Sequence, residues 1–103
     1  MLLVRFDDNW ADEMDVSGFK LFDNLDAWNA AIAEFKEEKE IVDGEDNGYF
    51  EVCFGTNEYI EYETVEEFLT QFDITEISDA AAEVIETLFP EAKLSYGYGH
   101  FPL

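Results

Sequence analysis

Short apolar runs alternate with acidic stretches along the chain, and their spacing predicts where strands and helices form. Residues 2–6 and 18–22 are mostly apolar and predict two β-strands near the N-terminus. Between them, residues 9–17 predict a loop or a short helical turn in which Trp10, Met14 and Val16 touch the core. The first part of the chain is therefore expected to contain two strands joined by an acidic connection.

A helical spacing of apolar residues follows the second strand. Asp23 or Asn24 is expected to cap the helix, because a short side-chain oxygen accepts a hydrogen bond from the free amides of a first turn. The helix is expected to end near Lys39. Residues recurring at intervals of three and four predict its buried face: Leu25, Trp28, Ile32 and Phe35.

The middle of the chain has the pattern of a β-hairpin. Residues 43–48 form a cluster of turn-forming residues, and residues 49–54 and 58–63 flank the turn at residues 55–57. Alternation places Ile60 and Tyr62 on one side of the second strand with Glu58, and Tyr59 on the other side with Glu61 and Glu63. Since neither side is purely apolar, an edge strand or a partly exposed sheet is expected.

Two further helices are predicted after the hairpin. Residues 64–67, Thr-Val-Glu-Glu, match a capping box, and the helix that they begin is expected to end at about Phe72. Thr75 or Ser78 is expected to begin a third helix that continues through Phe89, where Pro90 stops it. Its inward face is predicted to hold four apolar residues, Ala81, Val84, Ile85 and Leu88. Residues 93–96 suggest a last strand and residues 97–103 a tail.

The order of these elements, β-β-α-β-β-α-α-β, predicts an α+β fold. We expect a mainly antiparallel sheet of about four to five strands with two to three helices packed on it. With 103 residues and no linker or repeat, the chain is expected to form a single domain over residues 1–103.

The charge of the chain is strongly unbalanced. It has 26 Asp and Glu against five Lys and Arg, for a net charge of −21. Residues 40–92 contain 16 of the acids and no Lys or Arg. Because 48% of the residues are hydrophobic and 17% aromatic, the composition nevertheless indicates a folded protein and not a disordered acidic tail.

This charge argues against several kinds of partner. Nucleic acids and anionic membranes would both repel the chain, so direct binding to either is not expected, and a basic protein is the natural partner. A homodimer is compatible with the sequence. Cys53 is the single cysteine and the N-terminus has no basic, apolar leader, which together predict a protein of the reducing cytoplasm.

Catalytic and metal-binding patterns are weak. Residues 43–54 begin like a calcium-binding EF-hand loop, but Phe54 stands where the bidentate Glu belongs. Cys53 lies in an apolar strand without a neighbouring base, and His100 is the only histidine. We therefore expect no cofactor, no metal and no catalytic site.

Mimicry of nucleic acid is the leading hypothesis. Duplex DNA carries two phosphates per base pair, so a net charge of −21 corresponds to about ten base pairs. Carboxylates held on ordered strands and helices can take the places of phosphates in a basic groove, and aromatic residues among them can add contact energy.

In size, acidity and aromatic content the whole chain resembles the small acidic DNA-mimic inhibitors of phages and mobile elements, such as anti-restriction and anti-CRISPR proteins. These proteins share a character and not a common fold, so the resemblance assigns no residue. It implies a non-enzymatic inhibitor that occupies the DNA- or RNA-binding groove of a host DNA-processing or defence protein in the bacterial cytoplasm.

The predicted partner-binding acids fall into three groups. The first is Glu58, Glu61, Glu63, Glu66, Glu67 and Asp73. The second is Asp43, Glu45 and Asp46, and the third is Asp12, Glu13 and Asp15. Asp26, Glu34, Glu37 and Glu38 extend this surface.

Three alternatives to nucleic-acid mimicry stay open. An acidic adaptor or immunity-type protein would bind a basic partner that is not a nucleic-acid binder. An enzyme with a carboxylate cluster would have a concave site with a perturbed Asp or Glu. The acidity can also serve solubility or adaptation to high salt. The abundance of aromatic residues and the preference for Lys over Arg argue against a halophilic origin.

Overall fold

The fold is α+β, with a four-stranded antiparallel sheet, a separate two-stranded hairpin and three α-helices in the part of the chain that the structure describes. The structure is a computed structural model and describes residues 1–10, 14–41, 50–53, 59–93, 97–99 and 101–103. The strands are β1 Leu2–Trp10, β2 Met14–Phe22, β3 Phe50–Cys53, β4 Tyr59–Tyr62, β5 Phe72–Glu76 and β6 Tyr98–Gly99. The helices are α1 Leu25–Glu38, α2 Val65–Leu69 and α3 Asp79–Leu88, followed by a 3₁₀ turn at Pro90–Lys93.

The large sheet has the strand order β5-β1-β2-β6, with each neighbouring pair antiparallel. β1 and β2 are paired along their whole length, from Leu2 opposite Phe22 to Trp10 opposite Met14. The predicted loop or helical turn at residues 9–17 is therefore wrong, because most of this segment extends the two strands. Residues 11–13 lie outside the described residues.

Helix α1 agrees closely with its prediction at both ends. The Asn24 side chain accepts a hydrogen bond from the Ala27 amide at 2.9 Å, and Lys39 is the C-cap. Trp28 and Phe35 are buried, and Ile32 packs against the core. Leu25, predicted on the same buried face, is instead 56% exposed, because it lies in the first turn beyond the edge of the core.

The predicted hairpin is present as β3 and β4, paired antiparallel with Val52 opposite Ile60 and Phe50 opposite Tyr62. Ile60 and Tyr62 are buried, and Glu61 between them is exposed, as alternation along a strand requires. The two strands form a sheet of their own. One face of this sheet is buried and the other exposes Glu51 and Glu61, so the expected partial exposure is confirmed. Its turn at residues 54–58 lies outside the described residues.

The segment after α2 differs from its prediction. The helix ends at Leu69 and not at Phe72, and Phe72 begins a strand that pairs antiparallel with β1. Phe72 is drawn into the aromatic core, where its ring centroid lies 4.9 Å from that of Phe6 and 5.1 Å from that of Trp28. Strand pairing and this contact override the short helical pattern.

Helix α3 begins after Ser78, one of the two predicted caps, and ends at Leu88, one residue before the predicted end at Phe89, but its inward face is different. Ala82 is the buried residue of α3, and Ile85 is half-buried. The predicted inward residue Ala81 is exposed, and Val84 and Leu88 are 58% and 66% exposed. The apolar side of α3 is thus turned mostly to solvent.

The C-terminal strand also differs from its prediction. Lys93 belongs to the 3₁₀ turn, residues 94–96 lie outside the described residues, and the strand is Tyr98–Gly99. Part of the predicted tail is therefore ordered against β2, with Gly99 opposite Gly18. Gly99 has a φ of 73°, and a Cβ there would lie 2.7 Å from the Ser17 carbonyl oxygen.

The two faces of the large sheet are covered by different elements. Val4 and Phe6 point into the main core, which also contains residues of α1, the hairpin and α2 such as Trp28, Ile60 and Phe68. Phe19 lies on the opposite face by alternation, and its ring meets Phe89, which directly follows α3, at 5.4 Å. The hairpin and α2 therefore lie on one side of the sheet, and α3 lies on the other.

Candidate functional site

The carboxylates of this protein are displayed on its surface. Every Asp and Glu whose side chain the structure describes is exposed, except Glu86, which is half-buried. The core is built from apolar and aromatic side chains, and no buried polar or charged residue is found within the described part of the chain. The negative charge of the described residues therefore lies at the surface and not in the core.

Two acids face each other across the hairpin. Glu51 on β3 and Glu61 on β4 are directly opposite in the register, and both are exposed on its outer face. Directly opposite residues in an antiparallel pair have Cβ atoms about 5 Å apart, and like charges there are destabilising. This hairpin thus holds two like charges together on ordered backbone.

Three more acids follow along the chain. Glu63 comes directly after β4, and Glu66 and Glu67 lie in the first turn of α2, all three exposed. We call these five residues, Glu51, Glu61, Glu63, Glu66 and Glu67, the hairpin–α2 acid cluster. Acids are favoured at a helix N-terminus because they interact with the helix dipole, so α2 accommodates two of them readily.

Only one of the two hydrogen bonds of a capping box is shown at α2. The Thr64 hydroxyl accepts a hydrogen bond from the Glu67 amide at 3.1 Å. The Glu67 side chain is exposed, and the expectation that the cap occupies its carboxylate is not supported by a hydrogen bond to Thr64. Glu67 therefore belongs with Glu66 as a displayed charge.

Asp73 is separated from this cluster by its pairing. It lies on β5 opposite Arg5 of β1, and the two side chains form an ion pair on the exposed surface. The ion pair neutralises much of the charge of Asp73, so Asp73 is a weaker candidate for partner binding than the hairpin acids.

Most of the other predicted partner-binding acids are not described by the structure. Asp15 lies on β2, and its side chain is not described. The others lie outside the described residues: Glu58, Asp43, Glu45, Asp46, Asp12 and Glu13. The supporting acids of α1, Asp26, Glu34, Glu37 and Glu38, are exposed.

The few bases are placed away from the hairpin–α2 acid cluster in the sequence. Lys93 Nζ lies 3.6 Å from a Glu86 carboxylate oxygen. Lys20 sits on β2, where burial lowers the pKa of its ammonium group and the charge of Glu34 partly opposes that shift. Residues 50–69, which contain β3, β4 and α2, include no Lys or Arg, so this segment contributes only negative charge to the surface.

A shallow groove opens on the other face of the large sheet. It is lined by Phe19 and Tyr98 together with the Arg5–Asp73 ion pair and has a volume of about 410 Å³. Arg5 and Asp73 are paired with each other, and Asp7, which also lines the groove, is exposed to solvent, which is a poor arrangement for acid–base catalysis. In the described part of the chain, no three His, Cys, Asp or Glu residues are grouped as a metal site.

Glu51 was not among the predicted partner-binding residues. Its importance comes from the register of the hairpin, which places it opposite Glu61. A signal for this was present in the sequence, since a hairpin with its turn at residues 55–57 brings residues 51 and 61 together.

No protein-family model, no curated protein and no solved structure matches this chain. None of the helices in the described part of the protein is sufficiently long and apolar to cross a membrane.

Proposed function

We propose that the protein is a non-enzymatic inhibitor that mimics the charge of nucleic acid and occupies the basic DNA- or RNA-binding groove of another protein. The observation that carries this proposal is the Glu51–Glu61 pair, in which two exposed acids are held opposite each other in a segment without Lys or Arg. Such a pair lowers stability, and a binding role explains why a protein would keep it.

The geometry of the hairpin–α2 acid cluster supports the same proposal. Glu61 lies on β4, and Glu63 follows directly after the end of the strand. Glu51 adds a second row across the hairpin, so the acids form a short two-row array and not a single line. A basic groove that neutralises two phosphate strands presents Lys and Arg in a comparable two-sided arrangement.

In this mechanism, electrostatic attraction both strengthens binding and speeds the association of the two proteins. A protein of net charge −21 attracts a basic groove from a distance, and the contact releases the ions condensed on both surfaces. Binding should therefore weaken steeply as salt is added, and the protein should compete with nucleic acid for the same site.

Competition with DNA tests the proposal. The protein is immobilised, a bacterial lysate is passed over it with and without excess duplex DNA, and captured proteins are identified and purified. The expected partner is a nucleic-acid-binding protein whose capture is prevented by duplex DNA. Its DNA binding is then titrated with the free inhibitor, which should displace the DNA completely.

A charge-reversal variant tests whether the hairpin–α2 acid cluster is the surface that binds the partner. Replacing Glu63, Glu66 and Glu67 by Lys should weaken partner binding and reduce its salt dependence. In DNA complexes, each phosphate contact adds about 0.9 to the slope of log affinity against log salt concentration, and each carboxylate contact is expected to act in the same way. The matched control reverses Asp7, Asp23 and Glu76, which changes net charge equally at exposed positions outside the cluster and outside α3. Equal inhibition by the cluster variant and the native protein would refute this assignment of the site.

The same capture distinguishes the alternative function, an acidic adaptor or immunity-type protein. Such a protein would bind a basic partner whether or not duplex DNA is present. The Glu51–Glu61 pair alone is compatible with either partner, so the response to DNA competition decides between the two functions.

A further inference from the structure

Helix α3 presents an apolar stripe that no described element covers. Val84 and Leu88 are one turn apart and are 58% and 66% exposed, and Ala80 continues the stripe one turn earlier. Together with the edges of Glu83 and Thr87 they line an open, largely apolar surface. The helix is attached to the fold through the other side, where Ala82 is buried.

Acids lie on one edge and at the two ends of this stripe. Glu83 lines its edge, Asp79 is the first residue of α3, and Glu91 lies on the 3₁₀ turn that follows, all three exposed. Lys93 is the one base near this end of the described chain, and its ammonium group lies against Glu86. The stripe is thus apolar, with acids along one edge and at its two ends.

This combination argues against a second copy of the chain as the occupant. Two α3 helices in contact would bring Asp79, Glu83 and Glu91 of one chain close to the same acids of the other, and like charges across an interface are unfavourable. The stripe is also small, since a ten-residue helix is about 15 Å long, whereas a stable interface buries about 800 Å² on each partner.

We propose that α3 is a docking surface for a partner's amphipathic helix whose apolar stripe is flanked by Lys or Arg. The apolar residues of that helix would cover Val84 and Leu88, and its basic residues would meet the acids at the edge and ends of the stripe. A contact of this length suits one short helix bound weakly and reversibly.

This surface is independent of the hairpin–α2 acid cluster. The hairpin and α2 pack on the sheet face that carries Val4 and Phe6, whereas α3 is attached beside Phe19 on the opposite face. The protein would therefore have two binding surfaces, one for a basic groove and one for a basic amphipathic helix.

Synthetic peptides provide the test with the full-length protein. The probe peptide is helical, with Leu at positions i, i+3, i+4 and i+7 and Lys at the flanking positions. A scrambled peptide of the same composition has equal charge and no stripe. Binding of each is measured by titration calorimetry at low and high salt, and the contact is located by NMR shifts of the Val84 and Leu88 methyl groups.

We expect the amphipathic peptide to bind at least about tenfold more tightly than the scrambled one and to shift both methyl groups. Val84→Ser with Leu88→Ser should remove this preference at both salt concentrations, because apolar contact is not screened by salt. Leu25→Ser is the matched control, since Leu25 is a similarly exposed leucine on α1, and it should leave the preference unchanged.

Equal binding of the two peptides, or shifts that appear only at other residues, would overturn the proposal. A dimer of the protein that sedimentation detects and that Val84→Ser with Leu88→Ser abolishes would overturn it in favour of a second copy. None of these outcomes bears on nucleic-acid mimicry, which is decided by competition with duplex DNA at the hairpin.

Discussion

Glu51 and Glu61 lie directly opposite each other on the exposed face of the β3–β4 hairpin. An opposite-charge pair at these positions would stabilise the hairpin, and the like-charge pair does the reverse. The arrangement suits the basic partner proposed above, and it has a measurable consequence for stability.

The pair predicts that charge reversal stabilises the protein while it weakens function. Glu61→Lys should raise the free energy of unfolding by about 0.5 to 1 kcal/mol, because the introduced ammonium group would face the Glu51 carboxylate. Urea denaturation of Glu51→Lys, Glu61→Lys and the double variant gives the coupling energy between the two positions. The double variant restores a like-charge pair and should lose the gain. Additive effects of the two changes would contradict the pairing.

Asp73 should matter less to partner binding than the hairpin acids. Its charge is compensated by Arg5, so Asp73→Asn should change the affinity for the captured partner less than Glu61→Gln does. The loss of this exposed ion pair should lower stability by at most about 1 kcal/mol. Both affinities are measured by titration calorimetry with the same purified partner. A larger loss of affinity at Asp73 would place the binding surface on the large sheet.

Thr64 and Glu67 should have separable roles. Thr64→Ala removes the hydrogen bond that the hydroxyl accepts from the Glu67 amide and should lower the free energy of unfolding by about 1 kcal/mol. Thr64→Ser should preserve most of it. Glu67→Gln should leave stability within about 0.5 kcal/mol of the native value and reduce partner affinity instead. Glu67→Ala, which unlike Glu67→Gln has no side-chain oxygen to accept from the Thr64 amide, tests the cap: a loss as large as that of Thr64→Ala would show that the carboxylate acts there.

Glu40 occupies a backbone conformation that suits glycine. Its φ is 57°, and the end of α1 is a Schellman motif, with Ile41 N–H donating to the Lys36 carbonyl at 2.8 Å and Glu40 N–H to the Glu37 carbonyl at 3.1 Å. Glu40→Gly should raise the thermal midpoint, with a gain of up to about 1 kcal/mol. Glu40→Ala removes the charge but keeps the Cβ, so it should gain less. Equal gains would assign the effect to charge alone.

The local elements were predictable because their signals lie within a few residues. Thr64 caps α2 as predicted, Asn24 and Ser78 are each one of the two caps predicted for their helices, and the hairpin strands follow from alternation around a turn. The acidic surface was equally predictable, since charge of this density cannot be buried.

The other parts of the fold and of the candidate site could not be predicted, because they depend on which distant segments of the chain come into contact. Phe72 and the strand that it begins are decided by pairing with β1, which lies more than sixty residues earlier in the chain. The sequence alone determined that α3 has an apolar side, but not that Val84 and Leu88 would stay uncovered. The predicted hairpin turn already brings residues 51 and 61 together, whereas only the pairing of β5 with β1 decided that Asp73 meets Arg5. Local propensity acts over one turn or one strand, and contacts between strands are chosen by the packing of the whole core.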